Sequence, residues 1–479
     1  MIDFSQLENY RENNRIEAKK ALGGLPQSIW ETVSAFANTM GGMILLGVEE
    51  YRDKSFHTVD LPDPEGLAEE FWALVNDPKK VSTNILSRKN IIRETVNGCH
   101  ILIITVPRAD RSFKPIYCDG NPQHAYRRNG EGDYRCTEEE YQAMVRDASK
   151  RTQDMQVLEE LDCTAFDPLT IRDFRQQMGS ARPGHIWESL NDEDFLLKIG
   201  AVCTGEDGKN HPTAGGLLLF GTEKDIPRFF PHYSLEYREQ NGDPERAGQI
   251  RSSGNLLNFY SLAAEQILCG LDVPLYYRED TRKTISPVRI AIREALANCI
   301  VNADYYGGGG LVITRESDQL SFSNPGSFRI DVEAAKHGGS SDPRNALLLR
   351  TLNLIDIGEN AGSGIPNIFR VWRKQNLPEP EIIQSFNPDR ITLVLPLAPS
   401  EQGSAPVISG NRHRSAIKAI KRQMIIDYLT EHVDSTTADL SAYLGLRPAR
   451  VRDYLRELIR DRIVIAFGSR RDRKYKLKA

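Results

Sequence analysis

No apolar run in the 479-residue sequence approaches the roughly 18 residues that a membrane-crossing helix needs. The opening residues, MIDFSQLENYRENN, lack the apolar centre of a secretory leader. The expectation is a soluble, cytoplasmic chain with no membrane partner. The seven cysteines run from Cys99 to Cys299, are odd in number and never fall in C-x-x-C spacing. That argues against a disulfide framework or a zinc site and fits a reducing compartment. No repeat with a period of roughly 20–50 residues is visible. GEDGKN lacks both the spacing and the Ser/Thr of a P-loop, so that phosphate cradle is excluded.

What is present is length and a segregated charge. A chain this long exceeds one hydrophobic core, and roughly three or four domains are expected. The net charge of −5 conceals an asymmetry: residues 411–479 hold 17 Lys/Arg against 8 Asp/Glu, or +9, which leaves −14 on the remainder. A basic tail on an acidic body suggests a polyanionic partner for the tail.

Along the chain, residues 1–150 alternate helical and strand patterns and read as a compact α/β unit. Residues 151–275 give mixed signals and read as an α+β connector. Residues 276–398 open with the helix SPVRIAIREALANCIVNADY, continue through a hairpin, LVITRESDQLSFSNPG, and end in the strand RITLVLPL. Residues 399–414 read as a linker and 415–479 as a basic terminal domain.

The helix starting at Pro287 has an apolar face of Val288, Ile292, Leu296 and Ile300, yet Glu294, Asn298 and Asn302 recur at i, i+4 and i+8. They share one stripe, about 40° apart per step. On a buried helix such a stripe needs a polar partner, for which a ligand or a hydrated metal would serve. The alternative is that the stripe faces water. Asn324 and Gly326 of SNPG, at a strand end, allow close backbone approach to a planar ring. Gly362, Ser363 and Gly364 precede an apolar helical run, where free amides can receive phosphate.

These three ordered motifs resemble the GHKL ATPases, in the divergent branch found in bacterial ATP-binding regulators. The resemblance implies a Bergerat α/β sandwich over 276–398 that binds ATP with Mg²⁺. It makes Asn298 the magnesium ligand, Glu294 the residue that orients or deprotonates water, and Asn324 the adenine reader, with Asn302 and Gly326 beside it. Asn324 stands where the family has Asp, and Asn302 where relatives often have His, so binding with slow ATPase activity is expected rather than rapid turnover. Lid residues would include Gly338, Gly339 and Arg344; Arg344 either meets a phosphate or makes a surface ion pair.

Near the start, ENNRIEAKK leads through SAFANTMGG into ILLGVEE. This pattern resembles the AlbA-type domain of Schlafen proteins, which implies RNA or DNA binding. In the nuclease members of that family three acidic residues hold a metal; here Glu12 and Glu17 match the first two, with Glu49 or Glu50 replacing an Asp, and Mg²⁺ or Mn²⁺ is the implied ion. The competing reading gives those glutamates a structural role and makes Lys19, Lys20, Arg127, Arg128 and Arg135 a phosphate-facing groove or ordinary exposed cations.

Residues 415–479 read as three helices and a two-strand ribbon, the order of a winged helix-turn-helix. Thr436 or Thr437 would cap the second helix and Pro448 start the third. Arg447, Arg450 and Arg452 then stand at a recognition helix, and Arg470 and Arg471 in the wing, for duplex DNA. The whole order resembles bacterial transcriptional regulators: Schlafen-like domain, connector, GHKL domain, winged helix. An ATP-modulated, DNA-binding homo-oligomer is the expectation. The alternative is an ATP-gated, metal-dependent nuclease with a role in phage defence.

Overall fold

The computed structural model describes residues 13–397 except 241–248, 253, 270, 272–275, 279–282, 340, 359–361 and 387. Of the last segment it describes 425–426, 428–429, 435–444, 448–460, 463–467 and 474–477. Contacts divide the chain into two units, residues 1–400 and 401–479.

The first unit begins with β1 (Ile16–Lys19), α1 (Ile29–Asn38), β2 (Gly42–Leu46), β3 (Val48–Glu50), β4 (Phe56–Thr58), α2 (Pro64–Val75), β5 (Ile91–Val96) and β6 (Cys99–Val106). The hairpin β7 (Tyr126–Asn129) and β8 (Gly132–Arg135) and helix α3 (Glu138–Ala148) close this part. The sheet order is β1-β2-β6-β5, with β1 parallel to β2. Apolar residues cover both sheet faces: Ile44, Leu46, Leu102 and Ile104 pack under α1 and α2, while Leu45, Ile101 and Ile103 pack with Phe56. Trp30 of α1 stacks on Phe71 of α2, with ring centroids 5.4 Å apart.

The double glycine after α1 has a steric cause. Gly41 sits at φ +72°, and a Cβ there would lie 2.8 Å from the Arg108 backbone nitrogen; a Cβ on Gly42 would lie 2.7 Å from the Phe36 ring. Asn38 ends the helix with its amide saturated: Nδ2 donates to Ile116 O and Tyr126 O, and Oδ1 accepts from Ile116 N. SAFANTMGG is therefore the joint between helix and sheet.

Next come α4 (Pro168–Ala181), α5 (Asp192–Ile199), the hairpin β9 (Val202–Thr204) and β10 (Asn210–Pro212), α6 (Ala214–Phe220), α7 (Ile226–Phe229), β11 (Leu235–Gln240), β12 (Gln249–Ser252) and α8 (Leu256–Leu268). They run on into β13 (Tyr276–Arg278), β14 (Lys283–Ile285), α9 (Pro287–Asn302), β15 (Leu311–Glu316), β16 (Gln319–Pro325), α10 (Val332–His337), α11 (Ala346–Asn353), α12 (Gly364–Lys374), β17 (Glu381–Phe386) and β18 (Asp389–Pro396). A six-stranded sheet forms in the order β12-β11-β15-β16-β18-β17.

The expected α+β connector shares its sheet and core with the segment that follows it. Its β11 lies parallel to β15, Leu235 opposite Leu311, and one apolar cluster runs from Leu158 to Leu395. Leu235 and Tyr237 alternate into that core, with β12 on one side of the strand and, on the other, a partner 76 residues further on.

In the second unit the described elements are β19 (Ser435–Thr436), α13 (Thr437–Leu444), α14 (Pro448–Arg460), β20 (Val464–Phe467) and β21 (Lys474–Leu477). The strands form one sheet, β19-β21-β20, so the expected two-strand ribbon gains a third, short strand. Val451, Leu455 and Leu458 of α14 pack with Leu440, Val464 and Tyr475. Thr436 Oγ1 accepts from Asp439 N, and the Asp439 carboxylate accepts from Thr436 N in return, a reciprocal cap at the start of α13. Among the described residues no helix is long and apolar enough to cross a membrane.

Candidate functional site

Helix α9 begins where Ser286 Oγ accepts from Arg289 N, and its apolar face enters the sheet core. The polar stripe does not face open water. Glu294 is buried, and Asn298 and Asn302 are half-buried. All three line a cavity of about 120 Å³ together with Asn324, the turn at 327–330, residues 341–344, Gly362 and Gly364. Its apolar floor comes from Phe322, Ile382, Ile391 and Leu393.

Hydrogen bonds orient the amides. Asn298 Nδ2 donates to Glu294 Oε1 at 3.2 Å, and Asn302 Nδ2 donates to Asn298 O at 3.0 Å. Asn324 Nδ2 donates to Pro325 O at 3.1 Å and Asn302 O at 3.4 Å. Because the NH₂ ends meet acceptors, the amide oxygens of Asn298 and Asn324 are the ends left without a donor among the described residues. A hard cation is served by the first, and an exocyclic amino group over an apolar floor by the second. The residues present therefore fit a magnesium-bound purine nucleotide. Gly364, at the start of α12, crosses directly over this pair: a Cβ there would lie 2.1 Å from Glu294 Oε1 and 3.0 Å from Asn298 Nδ2. Gly362 sits at φ +73°, and Gly338, at φ +82°, packs against Pro366 and Gly362 O. Ser363 precedes α12 without capping it through its side chain.

Arg344 corrects one expectation. It is 6% exposed and lines the cavity, and its fork donates to Asn302 O, Ser327 O and the Asp147 carboxylate, so its ion pair is buried rather than at the surface. Gly326, at φ +101°, lies against this guanidinium. The sequence did not single out Arg329 or the floor residues Ile382 and Ile391; the alternation in RITLVLPL was the available signal for the floor.

In the N-terminal part, Arg127 and Arg128 do not form an exposed groove. Arg128, 2% exposed, pairs with Glu17 and Asp133, and Arg127 pairs with Asp389 and Glu140. Lys19 donates to Glu17 and Ser28, Lys20 pairs with Glu49, and Lys54 pairs with Glu50. Arg135 donates to Tyr126 Oη. Each described glutamate of the expected acidic trio is thus met by a cation, and among the described residues no group of three His, Cys, Asp or Glu side chains is placed to hold a metal. Glu12 lies outside the described residues, as do Arg447, Arg470 and Arg471. Arg450 lies in the first turn of α14, and Arg452 on the same helix is exposed.

Residues 12–137 match the family model described as "Schlafen, AlbA_2". The chain carries a Schlafen domain. Residues 308–395 match "Putative ATP-dependent DNA helicase recG C-terminal", so an HATPase-like domain follows it. That match starts beyond α9. Between them, residues 142–236 match a domain of unknown function. Among solved structures, the N-terminal domain of a "Putative ATP-dependent DNA Helicase RecG-related Protein" from Nitrosomonas europaea is 33% identical. It covers 29% of this chain and 95% of its own, with a TM-score of 0.23. The DIP2311 protein from Corynebacterium diphtheriae is 16% identical and covers 97% of this chain and 95% of its own, with a TM-score of 0.40. No curated protein matches the chain.

Proposed function

We propose that this chain is an ATP-binding, nucleic-acid-binding regulator whose grip on DNA changes with nucleotide. The observation that carries the reading is the cavity beside α9, where the Asn298 and Asn324 oxygens are left without donors over an apolar floor. In this reading Asn298 holds Mg²⁺, Asn324 accepts from the adenine amino group, Gly362 and Gly364 approach the phosphates, and Glu294 orients a water for slow hydrolysis. The magnesium ion, when bound, neutralises phosphate charge. Gly364 lies against Glu294 at the wall of the cavity, so the start of α12 is the part of the fold that a bound nucleotide touches beside the α9 stripe.

Residues 415–479 act as a winged helix-turn-helix on duplex DNA, through Arg450 and Arg452 of α14 and through Arg447, Arg470 and Arg471. Support comes from the basic charge and the α13–α14–sheet order. The Schlafen domain contacts RNA or single-stranded nucleic acid, and the assembly is a homo-oligomer. No observation favours the nuclease alternative, since Glu17, Glu49 and Glu50 are each held by a cation.

Isothermal titration with Mg²⁺-ATP is expected to show saturable heat that Asn298→Ala removes. In gel-shift assays, duplex binding by the full chain is expected to change on adding ATP and to be lost without residues 401–479. Wild-type heat equal to that of Asn298→Ala, or unchanged DNA binding with ATP, would overturn the proposal.

A further inference from the structure

Between the Schlafen domain and the HATPase-like domain lies a second, smaller cavity of about 20 Å³. Five cations line it, Arg108, Arg111, Lys114, Arg127 and Arg329, against two carboxylates, Asp147 and Asp389. The carboxylates are already in use. Asp389 pairs with Arg127, and Asp147 with Arg344, which lies outside this cavity. Nearby, Asp342 takes Arg111 and stands 3.5 Å from Arg329 Nε.

Two cations therefore have no carboxylate within ion-pair distance among the described residues. Arg108 donates to Phe328 O, and Lys114 donates to Asn38 O at 2.7 Å. Burial, reinforced by Arg108 and Arg127, pushes the Lys114 ammonium well below its usual value. Burial also lowers Arg108, against the pull of Asp331, Asp389 and Asp147. Arg127 Nε is buried without an acceptor, and Arg329 Nε makes no hydrogen bond, the Asp342 carboxylate standing 3.5 Å away. Buried charge without a counter-ion and buried N–H groups without acceptors are both costly, and one compact anion relieves both.

We propose that this cavity binds a phosphoryl oxyanion, either inorganic phosphate or the terminal phosphate of a nucleic acid, through Arg108, Lys114, Arg127 and Arg329. Guanidinium forks suit tetrahedral oxyanions, and the cavity is too small for a base or sugar. The turn at 327–329 lines this cavity and the nucleotide cavity alike, so a bound anion braces the Schlafen domain against the nucleotide site. The site stands on its own charge balance and does not rest on ATP binding.

The test titrates inorganic phosphate into the full chain at constant ionic strength, with chloride as the balancing anion, and follows the thermal midpoint. A saturable rise is expected. Arg108→Gln and Lys114→Gln should each weaken apparent affinity about tenfold or more, the loss of one charged hydrogen bond, while Asn298→Ala leaves the response intact. If either Gln variant fails to fold, saturable ³¹P line broadening of phosphate by the wild-type chain supplies the readout. Competition by an oligonucleotide bearing a 5′-phosphate, but not by its unphosphorylated twin, assigns the terminal phosphate as ligand; no competition assigns the free ion. The proposal is overturned if phosphate acts no differently from chloride, or if Asn298→Ala abolishes the response while Lys114→Gln keeps it.

Discussion

A single methyl group tests the candidate site most economically. Gly364 is the point where α12 meets the α9 stripe, and its missing Cβ leaves room for Glu294 Oε1. Gly364→Ala must push the Glu294 carboxylate aside and strain its contact with Asn298. The end of a Glu side chain can give, so the stability cost should be modest, about 1 kcal/mol in urea unfolding. Titration with Mg²⁺-ATP should show the larger loss. Glu236 offers a residue-scale test through pH. The Arg238 hydrogen bond, with further bonds from Arg251 and Gln249, holds its carboxyl down at about 2, against the opposing effect of burial. A folded value below the unfolded one means the stabilisation is fully present above about pH 4.5 and drains away as pH falls toward 2. Glu236→Gln should therefore destabilise the chain at pH 6 and matter little near pH 2, a difference that thermal melts at the two pH values will read.

At the scale of elements, helix α9 was legible because local rules decide it: Pro287 at the first turn, an apolar period of 3.6 and a polar stripe that breaks the pattern. The hairpin of β15 and β16 was legible for the same reason. What local rules could not reveal was partnership across long separations. Arg127 and Arg128 stand in YRRNG, a sequence that reads as an exposed turn, yet Asp389, Glu17 and Asp133 draw them inside. The membership of β11 in the HATPase-like sheet and the burial of Arg344 against Asp147 are hidden for the same reason. That last pair yields a prediction. Arg344→Met removes the donor that Asn302 O and Ser327 O share and the ion-pair partner of Asp147, and should cost about 3–5 kcal/mol in chemical denaturation.

The whole molecule is an acidic body and a basic terminal unit, and the two are separately compact. Each has its own apolar core: residues from Leu158 to Leu395 form the largest cluster of the first, while Ile425, Leu440, Leu455 and Tyr475 belong to the second. Since each unit's apolar clusters are built from its own described residues, removing residues 401–479 should leave the remaining chain folded, with its thermal midpoint and its response to Mg²⁺-ATP unchanged. DNA binding should behave in the opposite way. The excess cations lie in the removed unit, so the full chain should bind duplex DNA with an affinity that falls steeply with salt, the slope scaling as about −0.9 per phosphate neutralised. The truncated chain, with −13 of net charge from sequence, should be repelled and show no such slope. Fluorescence anisotropy across a salt series separates the outcomes. If the truncated chain kept the affinity and slope of the full chain, DNA recognition would belong to the first unit, and the division of labour read from charge would be wrong.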